Sequence, residues 1–175
     1  MRPGSLLVRL ALACIAVAGV TPHPVAAQGL GGSLALGIYR SGNEFQTSPG
    51  VGAEVIGRWA SRSGAGAGIG ARLVHSGAED RASAFIDLRY APFPSLATRI
   101  QPIIGVRAGL FIAEGDFGDD PLIGLQAGPL LGIAVRAGTG VSLTIAGDFG
   151  LILDTNLCCG VRRFVPGLQV GITLH

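Results

Sequence analysis

One segment constrains the fold more than any other. RIQPIIGVRAGLFIAE, residues 99–114, is almost wholly apolar and yet carries Arg107 near its centre. Pro102, Gly105 and Gly109 make it a poor helix, and it is too short to cross a bilayer in helical form. Its apolar residues recur at every second position, so in a strand they share one face and Arg107 lies on the other. The segment is therefore predicted to be a two-faced β-strand.

Eight segments from residue 32 onward show this period-two pattern. In chain order they are GSLALGIYR, VGAEVIGRW, GAGAGIGARLVHS, RASAFIDLRY, the segment above, LIGLQAGPLLGIAVR, VSLTIAGDFGL and FVPGLQVGITLH. One face of each is apolar, and the other carries mainly glycine, serine and threonine with a few charges. A soluble sandwich or lipocalin-like barrel usually exposes long charged residues on its polar face. Small residues favour the interior of a narrow tube, and strands of about ten residues suit a tilted bilayer crossing.

The connections between these segments alternate in length. With the N-terminus in the periplasm, the outer connections are SGNEFQTSPG, SGAEDR, AEGDFGDDP and DTNLCCGVRR, and the periplasmic ones are SRSG, APFPSLATR and AGTG. Long outer loops and shorter periplasmic turns are typical of bacterial outer-membrane barrels. The predicted fold is an all-β, eight-stranded antiparallel up-and-down transmembrane barrel.

The start of the chain has the pattern of an export signal. Arg2 and Arg9 form a basic lead, LALACIAVAGV is an apolar run, and VAA resembles a cleavage site. Residues 1–27 are predicted to be a cleaved signal peptide, and residues 28–175 a single barrel domain. Without the two leading arginines, 11 of the 13 basic residues remain against 11 acidic ones. With no lysine and no basic patch, a nucleic-acid partner is not expected.

The chain as a whole resembles the small eight-stranded outer-membrane barrels of the OmpA- and OmpX-like class. The resemblance covers residues 30–175 and rests on architecture; the class usually ends in an aromatic residue, whereas this chain ends ITLH. It implies residence in the bacterial outer membrane as a monomer. The implied partners are the lipid bilayer, lipopolysaccharide and the barrel-insertion machinery, with no cofactor.

Charged residues on the polar faces are predicted to meet inside the barrel. The interior of an eight-stranded barrel is just wide enough to be filled by side chains. An arginine facing the lipid midplane instead would cost ~2–4 kcal/mol. The predicted cluster consists of Glu54, Arg72, Asp87, Arg107 and Asp148. It is interpreted as structural filling rather than as a gate or an ion path.

Further arginines lie lower on the same face and make the predicted periplasmic mouth basic. These are Arg58, Arg89 and Arg136. They are interpreted as solvated rim charges rather than as an anion site.

Three other features carry weaker hypotheses. His75 and Ser76 invite a hydrolase interpretation, but adjacent strand residues point to opposite faces, so no enzyme activity is expected.

Cys158 and Cys159, in the last outer loop, are predicted to be oxidised and to form a disulfide either with each other or with a partner. One outer loop is acidic and is a weak candidate for a Ca²⁺ or Mg²⁺ site, through Glu114, Asp116, Asp119 and Asp120.

The leading functional hypothesis is an outer-membrane barrel with a plugged polar lumen. It would serve the envelope structurally or through interactions of its loops. The first alternative is a narrow channel or transporter for small solutes. The second is a soluble periplasmic lipocalin-like binding barrel.

Overall fold

Eight antiparallel strands pair in sequence order, and the last pairs with the first to close a barrel. The structure, a computed structural model, describes residues 30–42, 47–61, 64–77, 79–92, 99–115, 122–154 and 162–174. The strands are β1 (Leu30–Gly42), β2 (Thr47–Ala60), β3 (Ala65–Ser76), β4 (Glu79–Tyr90), β5 (Ile100–Gly115), β6 (Leu122–Gly138), β7 (Val141–Asp154) and β8 (Arg162–Leu174). The predicted number, order and direction of the strands are confirmed.

Some sequence-based predictions lie outside the described residues. They are the signal peptide, the two cysteines of the last loop and most of the acidic loop. Among the residues that are described, no helix is long and apolar enough to cross a membrane.

The strands have 12 to 17 residues, and most of them extend beyond the predicted segments, which corrects their boundaries. For example, β2 begins at Thr47 and β4 at Glu79, both within segments predicted to be loops. Apolar alternation marks only the part of a strand that meets an apolar environment. The hydrogen-bonded ladder continues into polar residues, because backbone pairing does not require apolar side chains.

The apolar face of each strand points away from the barrel axis. Leu143 and Ile172, which pair across β7 and β8, are 46% and 50% exposed. Leu36, on the outer face of β1, is 67% exposed, whereas Leu130, on the inner face of β6, is completely buried. This arrangement is the reverse of the apolar core that a lipocalin-like carrier requires, so the soluble alternative is wrong on this point.

Two tight turns at one end of the barrel depend on glycine. Gly64, between β2 and β3, and Gly140, between β6 and β7, have φ angles of 87° and 82°. This left-handed backbone region is readily accessible to glycine and strained for other residues. Both glycines end connections that the sequence predicts to be short periplasmic turns, SRSG and AGTG.

Glycines on the inner face make room for the buried ring of Tyr39. The ring lies against Gly37 and Gly52, where an added Cβ atom would lie 2.8 Å from ring carbons. A Cβ atom on Gly52 would also lie 2.6 Å from the backbone oxygen of Leu73. The missing side chains are therefore part of the packing of the lumen.

We expect Gly52→Ala to lower the free energy of unfolding by about 1–3 kcal/mol, because the new methyl group collides with the backbone and with Tyr39. The matched control is Gly138→Ala at the end of β6, where an added Cβ atom has no neighbour within 4 Å. Urea unfolding of the protein in detergent micelles, followed by tryptophan fluorescence, measures both. Equal stability of the two variants would contradict the packing described here.

Candidate functional site

Strand register brings opposite charges together inside the barrel. Glu54 on β2 pairs with Arg72 on β3, and Asp87 on β4 pairs with Arg107 on β5. All four side chains point inward and are buried. Asp148 on β7 reaches them from across the lumen. The structure thus places the five residues of the sequence-predicted cluster in one layer.

Arg72 holds two of the carboxylates. Its Nε and Nη2 atoms donate to Glu54 Oε2 at 3.0 and 2.8 Å. Nη2 also donates to Asp148 Oδ2 at 2.5 Å. Arg72 therefore connects neighbouring strands and also crosses the lumen.

Arg107 is the centre of the layer because it contacts all three carboxylates. Its Nη1 atom donates to Glu54 Oε2 at 2.8 Å and to Asp148 Oδ2 at 3.1 Å. Its Nη2 atom donates to Glu54 Oε1 at 3.0 Å and to Asp87 Oδ2 at 2.8 Å. Hydrogen bonds between charged groups are stronger than neutral ones, particularly when one fork binds two oxygens.

Arg89, which the sequence places at the basic mouth, also belongs to this network. Its Nε and Nη2 atoms donate to the two oxygens of Asp87 at 2.6 and 2.8 Å. Residues two apart on a strand share a face, so a long side chain at one position reaches its neighbour. We use the term lumen network for Glu54, Arg72, Asp87, Arg89, Arg107 and Asp148. It contains three guanidinium groups and three carboxylates.

Burial makes this balance of charge necessary. The side chains of Glu54 and Asp87 are each 1% exposed, and that of Arg107 is 2% exposed. Removing a charge from water costs several kcal/mol, and the cost is recovered only when opposite charges and hydrogen bonds surround it. The lumen network is therefore stable as a complete set and unstable when one member is missing.

Two aromatic rings that the sequence analysis did not single out pack on the network. The Arg107 Cζ atom lies 4.0 Å from the ring centroid of Phe85, and the Arg72 Cζ atom lies 4.4 Å from that of Tyr39. Such cation–π contacts stabilise guanidinium groups by about 2 kcal/mol or more when water is excluded. The period-two pattern contains the signal, since Phe85 lies two residues before Asp87 and shares its face.

Gln169 on β8 completes the polar layer. We assign its side-chain amide with the nitrogen toward Glu54, because the opposite orientation would set its oxygen against carboxylate oxygens. In this orientation the amide donates to Glu54 Oε2 at 3.0 Å and to the Tyr39 hydroxyl oxygen at 3.3 Å. The first and last strands of the barrel therefore both contact the lumen network.

Apolar side chains fill the lumen on both sides of this layer. Phe111, Ala113 and Ile152 form one buried cluster, and Ile103, Leu130 and Ala146 form another. A cavity of about 10 Å³, bordered by Arg72, Arg107 and Asp148, lies next to the network. That volume is close to the minimum that can hold one water molecule.

No protein-family model and no curated protein matches the chain. Among solved structures, neisserial surface protein A matches with a TM-score of 0.70 at 13% identity, over 84% of this chain and 97% of that one. The chain has the fold of the small eight-stranded outer-membrane barrels. The N-terminal β-barrel domain of Pseudomonas aeruginosa OprF has a TM-score of 0.43 at 16% identity, over 81% and 97%. Ail of Yersinia pestis has a TM-score of 0.41 at 9% identity, over 83% of this chain and 96% of that one.

The remaining sequence-predicted site residues of this barrel do not join the lumen network. Arg58 on β2 donates from Nη1 to Thr173 Oγ1 at 3.5 Å. Arg136 lies near the end of β6, where the ladder is irregular. Glu114 lies in β5, within what was predicted to be a loop. In the described part of the chain, no group of three or more metal-binding side chains occurs.

His75 and Ser76 lie on opposite faces of β3. The His75 side chain is 78% exposed on the outer face, where it pairs with Asp80, whereas Ser76 is buried. The two side chains therefore do not form the base and nucleophile pair that hydrolysis requires.

We expect Arg107→Gln to lower the free energy of unfolding by about 3–5 kcal/mol, because it leaves three buried carboxylates with two guanidinium groups. The double variant Glu54→Gln/Arg107→Gln restores equal numbers of both charges and should be more stable than Arg107→Gln alone. Urea unfolding in detergent micelles measures both. Arg99→Gln, which changes an exposed arginine just before β5, is the control and should shift the free energy by less than about 0.5 kcal/mol. A double variant less stable than Arg107→Gln alone would contradict this balance of charge.

Proposed function

We propose that the chain is an integral outer-membrane barrel with a plugged lumen, which serves the envelope structurally or through its outer loops. The observation that carries the proposal is the division of side chains between the two faces of one closed sheet. Apolar side chains cover the outside, and paired charges occupy the centre.

The outer face supports a position within a bilayer. Val106 and Leu110 on β5 and Leu168 on β8 are more than half exposed, and comparable aliphatic residues face outward on all eight strands. Contiguous exposed apolar surface of this extent is rare on soluble monomers. About 9–11 tilted residues cross the hydrocarbon of a bilayer, so strands of 12 to 17 residues extend beyond it into polar surroundings.

The filled interior supports a barrel that does not conduct. The lumen network closes the centre, and apolar clusters lie on either side of it. Function would then belong to the surfaces that such a barrel presents outside the membrane. Lipopolysaccharide and the barrel-insertion machinery are the partners that this location implies, and the barrel would act as a monomer.

The position in the bilayer is tested by one substitution at two depths. Val106→Arg places a guanidinium on the outer face near the middle of β5, and Ile100→Arg places one at its end. Both residues are β-branched, and they are 55% and 58% exposed. We expect Val106→Arg to cost about 2–4 kcal/mol of folding free energy in lipid vesicles and Ile100→Arg about 0–1 kcal/mol. Equal costs at the two depths would contradict a transmembrane position.

The plugged lumen is tested by conductance in planar bilayers. We expect the wild-type protein to show no steady open-channel current, because side chains and ion pairs fill the interior. Arg40→Gln, which changes an exposed residue outside the lumen network, should behave like the wild type. A steady current from the wild-type protein would favour the narrow channel and would overturn the plug.

A further inference from the structure

A cavity of about 150 Å³ opens at the end of the barrel that carries the β2–β3 and β6–β7 turns. Arg58 and Arg89 contribute the charged part of its lining, and Thr144 and Thr173 contribute hydroxyl groups. Most of the remaining lining is apolar, including the inward-facing Ile103 and Ala134. The cavity thus combines cationic groups with an apolar wall.

Arg58 carries a positive charge that the lumen network does not neutralise. The three carboxylates of that network are already matched by Arg72, Arg89 and Arg107. In the part of the chain that the structure describes, no carboxylate lies within ion-pair distance of Arg58. Its Nε atom is buried without a hydrogen-bond partner, and its contact with Thr173 is a long 3.5 Å. A half-buried guanidinium with these contacts is most stable when an anion joins it.

The hydroxyl groups beside Arg58 provide a further donor. Thr144 Oγ1 and Thr173 Oγ1 are 3.2 Å apart, so one hydroxyl donates to the other. The hydroxyl group that accepts this hydrogen bond has, among the described residues, no acceptor for its own hydrogen. An acceptor oxygen placed against Arg58 would therefore meet hydroxyl and guanidinium donors together.

We propose that this cavity binds a small carboxylate with a short apolar tail. The planar guanidinium fork of Arg58 matches the two oxygens of a carboxylate. The apolar wall favours an alkyl group over a fully hydrated anion such as phosphate, because the tail is removed from water. Binding depends on the cavity and not on the membrane location of the barrel, so it is separable from the proposed function.

Isothermal titration calorimetry measures the binding without a reporter group inside the cavity. The ligand is hexanoate, titrated into the full chain folded in nonionic detergent micelles. We expect a saturable isotherm with about one site per chain. The neutral analogue 1-hexanol should give only the heat of partition into the micelles, without saturation.

Two variants identify the group that holds the carboxylate. Arg58→Gln should weaken binding by about tenfold or more, since it removes a charge-assisted hydrogen-bond donor. Arg58→Lys keeps the charge but lacks the fork, and it should bind several-fold more weakly than the wild type. Arg40→Gln, which removes the same charge from an exposed site outside the cavity lining, should leave the affinity unchanged.

Each other outcome overturns the proposal in whole or in part. Equal heats from hexanol and hexanoate, or no saturation with the wild type, would show that the site does not exist. Unchanged affinity in both Arg58 variants would show that Arg58 does not hold the carboxylate. Inorganic phosphate that binds as tightly as hexanoate would show that the apolar tail contributes nothing and that the cavity is a general anion site.

Discussion

The width of an eight-stranded barrel governs everything inside it. The interior is so narrow that an inward side chain meets its own strand neighbours and also groups from across the axis. Arg72 contacts Glu54 on the adjacent strand and Asp148 on the far wall for this reason. Charges placed in such a space cannot be solvated individually, so they are stable only as a neutral set. The six residues of the lumen network form such a set.

The same network fixes how the strands are aligned. Side chains alternate between faces, so shifting one strand by a single residue would reverse all of its faces at once. A shift in β5 would turn Arg107 outward and bring aliphatic side chains against the carboxylates. Each exposed charge would cost a few kcal/mol in an apolar medium, and the buried partners would lose their ion pairs. The charges in the lumen therefore specify register, while the apolar outer rows are compatible with more than one vertical position.

Period two and chain order were enough to predict the number of strands, their pairing and the faces of Glu54, Arg72, Asp87 and Arg107. Neighbouring strands in an up-and-down barrel are also neighbours in sequence, so these contacts are nearly local. Contacts across the lumen depend on the stagger of the strands and on side-chain rotamers. Neither can be inferred from the local sequence pattern. The packing of Tyr39 on Arg72 is such a contact and became visible only in the structure. The period-two pattern places Phe85, Asp87 and Arg89 on one face, but only the structure shows the rotamers that bring them into contact with each other or with Arg107. Strand ends were missed because backbone hydrogen bonds continue where hydrophobic alternation stops.

The pairing of β1 with β8 joins the two ends of the chain, with Gly32–Tyr39 aligned against Gly167–Leu174. Closing so long a loop is slow compared with forming hairpins, so this seam is expected to form late in folding. Before the seam closes, Asp148 is held away from Arg72, 76 residues earlier in the chain, and Gln169 is held away from Glu54. An open sheet would thus carry uncompensated charges along its concave side. Closure of the barrel and neutralisation of its interior therefore become a single cooperative step, which disfavours a partly closed intermediate.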